Sequence, residues 1–261
     1  MSTAAVLLPL LVFVIFLDSP LFFFALASLV IVLAALELCA LAEQRGARPQ
    51  RSLCAAGAVL VASTFLPGGP DLALALALCV IAAPLAWVLS RRPFSEGLVS
   101  MSTALLGVLL VGFLLGHTVG LRCAPGVGRH LLLYLLWVVW CSDTVAYAVG
   151  TRFGRTPLAP RLSPRKTWEG TIAGLGAALL AAAVGREWFL PDLRWSESAA
   201  LGVLLGALAL AGDLCESLLK RGSEVKDSAG LLPGHGGLLD RTDSLMFTAP
   251  FLYHYWRWFH A

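Results

Sequence analysis

Long apolar stretches and short polar breaks alternate along the whole chain. Nine stretches stand out, roughly residues 3–17, 20–42, 53–67, 71–90, 99–118, 130–150, 168–185, 198–220 and 243–259. A bilayer core is crossed by about 20 apolar residues of helix, with a range of roughly 17–25, so most of these stretches have spanning length. The breaks carry turn chemistry: Asp18-Ser19-Pro20, Pro67-Gly68-Gly69-Pro70-Asp71 and Pro125-Gly126. The pattern predicts an all-α polytopic bundle of about nine transmembrane helices, forming one integral membrane domain over 1–261. The first and third stretches are short and are expected to be tilted or partly inside the bundle. The Ala/Leu runs at 72–78 and 201–210 are ordinary membrane helix, and no internal repeat stands out.

The basic residues give this pattern a direction. With nine spans, the loops after the second, fourth, sixth and eighth share a side with the N-terminus. Those loops hold 14 of the 19 Lys and Arg residues, and the opposite side holds Arg122, Arg129, Arg186, Arg194 and Arg257. Cytoplasmic loops carry the excess of Lys and Arg. The rich side is therefore expected in the cytoplasm and the C-terminus outside, with the protein in the cell's inner membrane. A basic loop at 152–169 and a polar segment at 213–243 then open to the cytosol.

Composition agrees: 58% hydrophobic and 13% charged residues exclude disorder and argue against a soluble fold. The formal charge of +3 says little by itself, and no nucleic-acid partner is expected. The six cysteines show no paired spacing, so neither a zinc site nor a disulfide framework is expected. The N-terminus lacks a basic region before its apolar stretch and is read as retained structure rather than a cleaved signal.

Against this background the ionisable density of 213–243 is unusual. A charge at bilayer depth costs roughly 2.5–3.5 kcal/mol on insertion scales, which favours a ligand that carries charge of its own. Asp213, Glu216, Ser217 and Lys220 fall at i, i+3, i+4 and i+7 and share one helix face. A polar seam between helices is the alternative. His235-Gly236-Gly237 offers consecutive amides that suit a phosphate, or a plain turn. Asp240 and Asp243, with Arg241 between them, open the last stretch, where carboxylates also suit the helix dipole. Asp213 and Asp243 come from consecutive stretches that should be neighbours. Converging oxygen donors suit a hard divalent cation, and magnesium typically takes one or two carboxylates plus water and phosphate. With Lys220, Arg221, Lys226 and Arg241 around them, the pattern suggests metal-assisted phosphoryl or nucleotidyl transfer.

Two further segments carry polar groups. Asp143 shares a face with Tyr147 in the sixth stretch and either serves a ligand or bonds a neighbouring helix. Ser163-Pro164-Arg165-Lys166-Thr167 ends at a helix start, where Thr167 or Ser163 is placed to cap and Arg165 and Lys166 to attract an anion. Positive-inside anchoring is the competing reading. Glu37, alone in the second stretch, and His117, near the end of the fifth, are read as structural.

The segment Ser217-x-Leu219-Lys220-Arg221-x4-Lys226-Asp227-x-Ala229-x2-Leu232-Pro233-x-His235-Gly236-Gly237-Leu238-x-Asp240-Arg241-Thr242-Asp243 resembles the signature of the CDP-diacylglycerol synthases, or phosphatidate cytidylyltransferases. Ser142-Asp143-Thr144-x-Ala146-Tyr147-x2-Gly150 and Ser163 to Gly170 are similar to further segments of that family, which usually has Lys where Arg165 stands. The resemblance covers residues 131–261, and residues 1–130 share with the family only their hydrophobic spans.

What it implies is specific. Members convert phosphatidate and CTP to CDP-diacylglycerol and pyrophosphate with magnesium, in a helical membrane bundle that forms a homodimer. The family's metal-binding aspartates map onto Asp213 and Asp243, with Asp240 close by. Lys220, Arg221, Lys226, Asp227 and Arg241 complete the expected catalytic set. Asp143, Ser163, Arg165, Lys166, Thr167, Glu216, Ser217, His235, Gly236 and Gly237 are expected to bind substrate. Two rivals remain at this stage: a CTP-dependent polyprenol or lipid kinase, and an ion-coupled transporter using Asp143, Asp213 and Glu216.

Overall fold

A computed structural model describes residues 2–90, 92–223 and 237–260. Among them are nine helices: α1 (Ser2–Phe16), α2 (Pro20–Glu43), α3 (Arg51–Ser63), α4 (Leu72–Leu89), α5 (Phe94–Arg122), α6 (Gly128–Phe153), α7 (Trp168–Phe189), α8 (Trp195–Gly222) and α9 (Leu239–Phe259). Each predicted stretch holds one helix. The turn-like breaks become caps: Ser19 Oγ accepts from Leu21 N at 3.3 Å with Pro20 beside it, and Asp71 accepts from Leu74 N at 2.9 Å.

The bundle is a multi-pass membrane protein. Six helices, α2 and α4 to α8, are long and apolar enough to cross a bilayer. The other three do not meet that length and apolarity. α1 has 15 residues and α3 has 13; at 1.5 Å rise per residue α3 is about 20 Å long, against a core of about 30 Å. α9 is long enough but carries Asp240, Arg241, Asp243 and Arg257. Leu85, Val88, Leu89, Leu98 and Leu180 all lie more than half exposed, apolar surface of the kind that marks a membrane or protein contact.

The chain divides into two compact units. One groups the described residues of Met1–Arg129 and Asp227–Leu239, the other those of His130–Lys226 and Asp240–Ala261. In the first, α3 packs on α2, α4 and α5. Val61, Ala75, Cys79 and Val108 form a core cluster with Leu60, Leu105 and Phe113 against it. Along the α3–α5 contact, Gly107 meets Cys54, Gly112 meets Ala58 and Gly116 meets Ala62. On α3 these positions are four and four apart; on α5 they are five and four. The odd residue is absorbed by a π-helical stretch, Val108–Phe113, which keeps all three glycines on one face. A Cβ at Gly112 would lie 2.5 Å from Ala58 Cα, so only hydrogen fits. His117 is buried between Phe65 and Phe113 at ring distances of 4.4 and 4.8 Å, with Nδ1 2.8 Å from Phe113 O, as a structural residue should be.

The second unit begins with α6. A short antiparallel hairpin follows, β1 (Pro157–Ala159) and β2 (Ser163–Thr167), with Pro157 opposite Thr167 and Ala159 opposite Ser163. Sequence reading treats this segment as loop, since its prolines at 157, 160 and 164 hide strand character. The hairpin is tied down from α7: Glu169 accepts from Arg155 N (3.1 Å) and Thr156 N (3.2 Å), and Trp168 N donates to Thr156 O (2.9 Å). Small residues let α7 approach both neighbours. Gly170 and Gly174 lie against Ala146 and Ser142 of α6, while Ala178 and Ala182 face Gly206 and Gly202 of α8. α9 runs antiparallel to α8, since Gly212 meets Asp243, Ser244 Oγ lies 3.4 Å from Ala209 O, and His260 Nε2 lies 3.9 Å from Glu197 Oε2.

Candidate active site

The polar face predicted on α8 exists and looks toward the start of α9. Asp213, Glu216 and Asp243 each bring a carboxylate oxygen within 4.8 Å of the other two. Asp243 and Glu216 are buried, and Asp213 is 39% exposed, the open member of the group. The close approach comes from Gly212: a Cβ there would lie 2.4 Å from Asp243 O. Gly212→Ala should therefore force α8 and α9 apart and separate the carboxylates. Turnover is expected to fall by at least about tenfold, because a misplacement of about 1 Å can cost 10²-fold. An activity assay of membrane preparations checks this.

Three acids so close repel one another, and two lysines offset that. Lys166, from β2, pairs with Asp213. Lys220, one turn below Glu216 on α8, lies 2.7 Å from Glu216 Oε2 and 3.1 Å from Asp240 Oδ1. Asp240 thus belongs with Lys220 and stands outside the three-carboxylate group in which the metal expectation placed it; Glu216, expected among substrate ligands, stands inside. Glu216 Oε1 is buried with no hydrogen-bond partner among the described residues.

Asp143 Oδ2 lies 3.5 Å from Ser244 Oγ, and Ser244 N donates to Asp243 Oδ1 at 2.6 Å, so α6 reaches the α9 carboxylate through one serine. Thr167 caps α7, accepting from Gly170 N at 3.2 Å. Ser163 and the exposed Arg165 sit on β2 with Lys166. Arg221 Nε donates to Leu162 O at 3.2 Å and ties the end of α8 to the hairpin. Ser217 is half-buried beside Glu216, Arg241 is exposed on the first turn of α9, and Gly237 is buried just before it. Lys226, Asp227, His235 and Gly236 lie outside the described residues.

One buried acid has partners that its sequence setting does not announce. Glu37, in the first unit, is buried and accepts from Leu238 N (3.0 Å) and Leu239 N (2.8 Å), the residues that open α9. A lone acid in an apolar helix gives no sign of a partner 201 residues away.

The oxygen donors fit a hard divalent cation. All three lie within 4.8 Å of one another, a spread that one hard cation with oxygen ligands at about 2.0–2.6 Å can bridge.

Fold and site together define a polytopic membrane protein with an acid-and-lysine centre between two neighbouring helices. The chain belongs to the cytidylyltransferase family, whose sequence profile matches residues 1–259. It is 34% identical over 263 residues to a phosphatidate cytidylyltransferase of Synechocystis, covering 90% of this chain and 88% of that one. A phosphatidate cytidylyltransferase of Haemophilus influenzae is 43% identical over 136 residues, 51% of this chain and 47% of that protein. One of Bacillus subtilis is 36% identical over 166 residues, 64% and 61% respectively.

Proposed function

We propose that this chain transfers the cytidylyl group of CTP to phosphatidate, giving CDP-diacylglycerol and pyrophosphate. Family membership along the whole chain supports the reaction. The observation that carries the site is the group Asp213, Glu216 and Asp243, within 4.8 Å and flanked by Lys166 and Lys220. One phosphatidate oxygen attacks the α-phosphorus of CTP in line. A new O–P bond forms, the bond from the α-phosphorus to the bridging oxygen breaks, and pyrophosphate leaves with that oxygen. The attacking oxygen is already ionised near pH 7, so no general base is required.

Asp213 and Asp243, with Glu216 beside them, would hold the magnesium ion. Bound there, the ion supplies charge neutralisation on the phosphate oxygens. Lys166 and Lys220 lie within the centre to meet phosphate charge, and Arg165, Arg221 and Arg241 extend the basic field around it. Lys226, Asp227 and the His235-Gly236-Gly237 turn belong to the same reading through their motif. Asp240 acts through Lys220 rather than on the metal. The reading includes a homodimer in the inner membrane with the site on the cytoplasmic side. The concentration of Lys and Arg around the site supports that orientation. Phosphatidate then reaches the site from the inner leaflet and CTP from the cytosol.

Incubation of membranes with CTP labelled at the α-phosphorus, phosphatidate and magnesium tests the reaction. The expected result is lipid-extractable label and pyrophosphate in equal amounts. Free CDP with a phosphorylated lipid would instead mean a lipid kinase. Substrate uptake into liposomes without CTP would mean a transporter.

A further inference from the structure

We infer that Glu169 is a positioning residue for this reaction: its carboxylate holds the base of the β1–β2 hairpin and so keeps Lys166 turned toward Asp213. The inference rests on the proposed role of Lys166 in meeting phosphate charge. Every residue it uses lies in the second unit. Glu169 stands in the first turn of α7, where an acid already suits the helix dipole. Its carboxylate also reaches the chain that enters β1. Oε2 accepts from Arg155 N at 3.1 Å, and both oxygens lie 3.2 Å from Thr156 N. The cap of α7 is supplied by Thr167, whose Oγ1 accepts from Gly170 N. Glu169 thus binds the hairpin to α7 in addition to any service to its own helix.

The hairpin needs such a hold. A two-stranded hairpin is marginally stable at best in water. This one has three residues in β1 and five in β2, with an irregular register between Pro157 and Ala159. Pro157, Pro160 and Pro164 carry no amide hydrogen for a ladder. The tip is tied by Arg221 Nε, which donates to Leu162 O at 3.2 Å. The base is tied by Glu169 and by Trp168 N, which donates to Thr156 O at 2.9 Å. Lys166 sits between these ties, 19% exposed and paired with Asp213. Its neighbour Thr167 lies opposite Pro157, the residue after Thr156. The strand that backs Lys166 therefore begins at the amides that Glu169 holds. Release of 155–156 frees β1, and β2 loses the strand it lies against. Glu169 acts through Lys166 and not on the reacting atoms.

The test uses full-length enzyme in nanodiscs. Glu169→Gln removes one acceptor oxygen and the charge. Replacement of Thr156 by its α-hydroxy acid removes one donated hydrogen and leaves the acid at the helix start. Access to Lys166 is read by amine acylation and mass spectrometry with Lys220 as internal standard, amide exchange over 155–166 by mass spectrometry, and kcat/KM with CTP and phosphatidate. Each variant is expected to quicken Lys166 acylation and to lower kcat/KM by about tenfold, the scale of a hydrogen bond to a charged group. Exchange over 155–166 should quicken too. In a Lys166→Met background, Glu169→Gln should cost less than about twofold, since residues that act as one unit are not additive. Wild-type Lys166 acylation in either variant would overturn the inference. So would a loss in the Lys166→Met background as large as in the parent, the mark of a merely structural role. If Glu169→Gln fails to fold, the α-hydroxy variant carries both comparisons. Lys166→Met alone separates the two levels: wild-type turnover there would remove Lys166 from the proposed centre, whereas its loss with Glu169→Gln unaffected would sink only the role of Glu169.

Discussion

Asp243→Asn is expected to abolish cytidylyl transfer, by at least about 10³-fold, the scale on which removing a focused electrostatic stabiliser acts, while the protein remains folded in the membrane. Asn preserves the volume and the acceptor that Ser244 N uses at 2.6 Å. It removes one negative charge from a group whose three oxygens lie within 4.8 Å. Without a metal that charge is a liability, because like charges repel strongly where water is scarce. The melting temperature of the metal-free variant should therefore equal or exceed the parent's, the usual relation at a site built for function rather than stability. Asp213→Asn should lose turnover to a similar degree. It also leaves Lys166 without its acid partner, so its melting temperature should not rise. Detergent-solubilised protein, assayed across magnesium concentrations and melted in chelator, gives both readouts. Full activity in either variant would remove these aspartates from the metal proposal.

The second large effect falls on stability. Lys220 is 17% exposed and bridges Glu216, itself 4% exposed, and Asp240. Lys220→Met keeps most of the apolar stem but leaves two acids without their shared cation. Breaking a buried pair from one side typically costs about 3–5 kcal/mol, and that loss is expected here as a markedly lower melting temperature. Glu216→Gln combined with Lys220→Met should recover much of it, since the uncompensated charge disappears with its partner. Lys220→Arg should restore stability better than turnover, because a planar guanidinium does not replace a compact ammonium. An unchanged melting temperature in Lys220→Met would show that the pair is not structural.

Parts of this arrangement follow directly from residue spacing. The face formed by Asp213, Glu216, Ser217 and Lys220 needs only the helical repeat. The breaks at Asp18-Ser19-Pro20 and before Asp71 needed only their turn residues, and a cap at Thr167 or Ser163 needed only a hydroxyl before a helix. The division of labour between Asp240 and Glu216 was not legible. Asp240 and Asp243 look equivalent at i and i+3 until Lys220 takes one of them, and Glu216 looks like another polar neighbour until its carboxylate is placed beside Asp243. The hairpin at 157–167 was hidden by its prolines; Glu169 of α7 ties down its start, and Thr167 at its end caps α7. The nine helices were legible, but which of them cross was not, because an apolar stretch reports composition and not depth: α3 is apolar and short, and α9 is long and charged. Glu37 was unreadable for a different reason, since its partners are backbone amides, which every residue type supplies alike.

The π-helical stretch of α5 carries a consequence for how this bundle tolerates change. Since Gly107 and Gly112 face successive turns of α3 across one surplus residue, that segment holds a removable spacer. Excising a single position between them would let α5 relax to an uninterrupted α-helix with its glycines still facing Cys54, Ala58 and Ala62. The same excision between Gly112 and Gly116 would swing the lower half of the helix by about 100°, one residue's rotation, and turn its smooth face away from α3. Length variation in this helix is therefore confined to one short window.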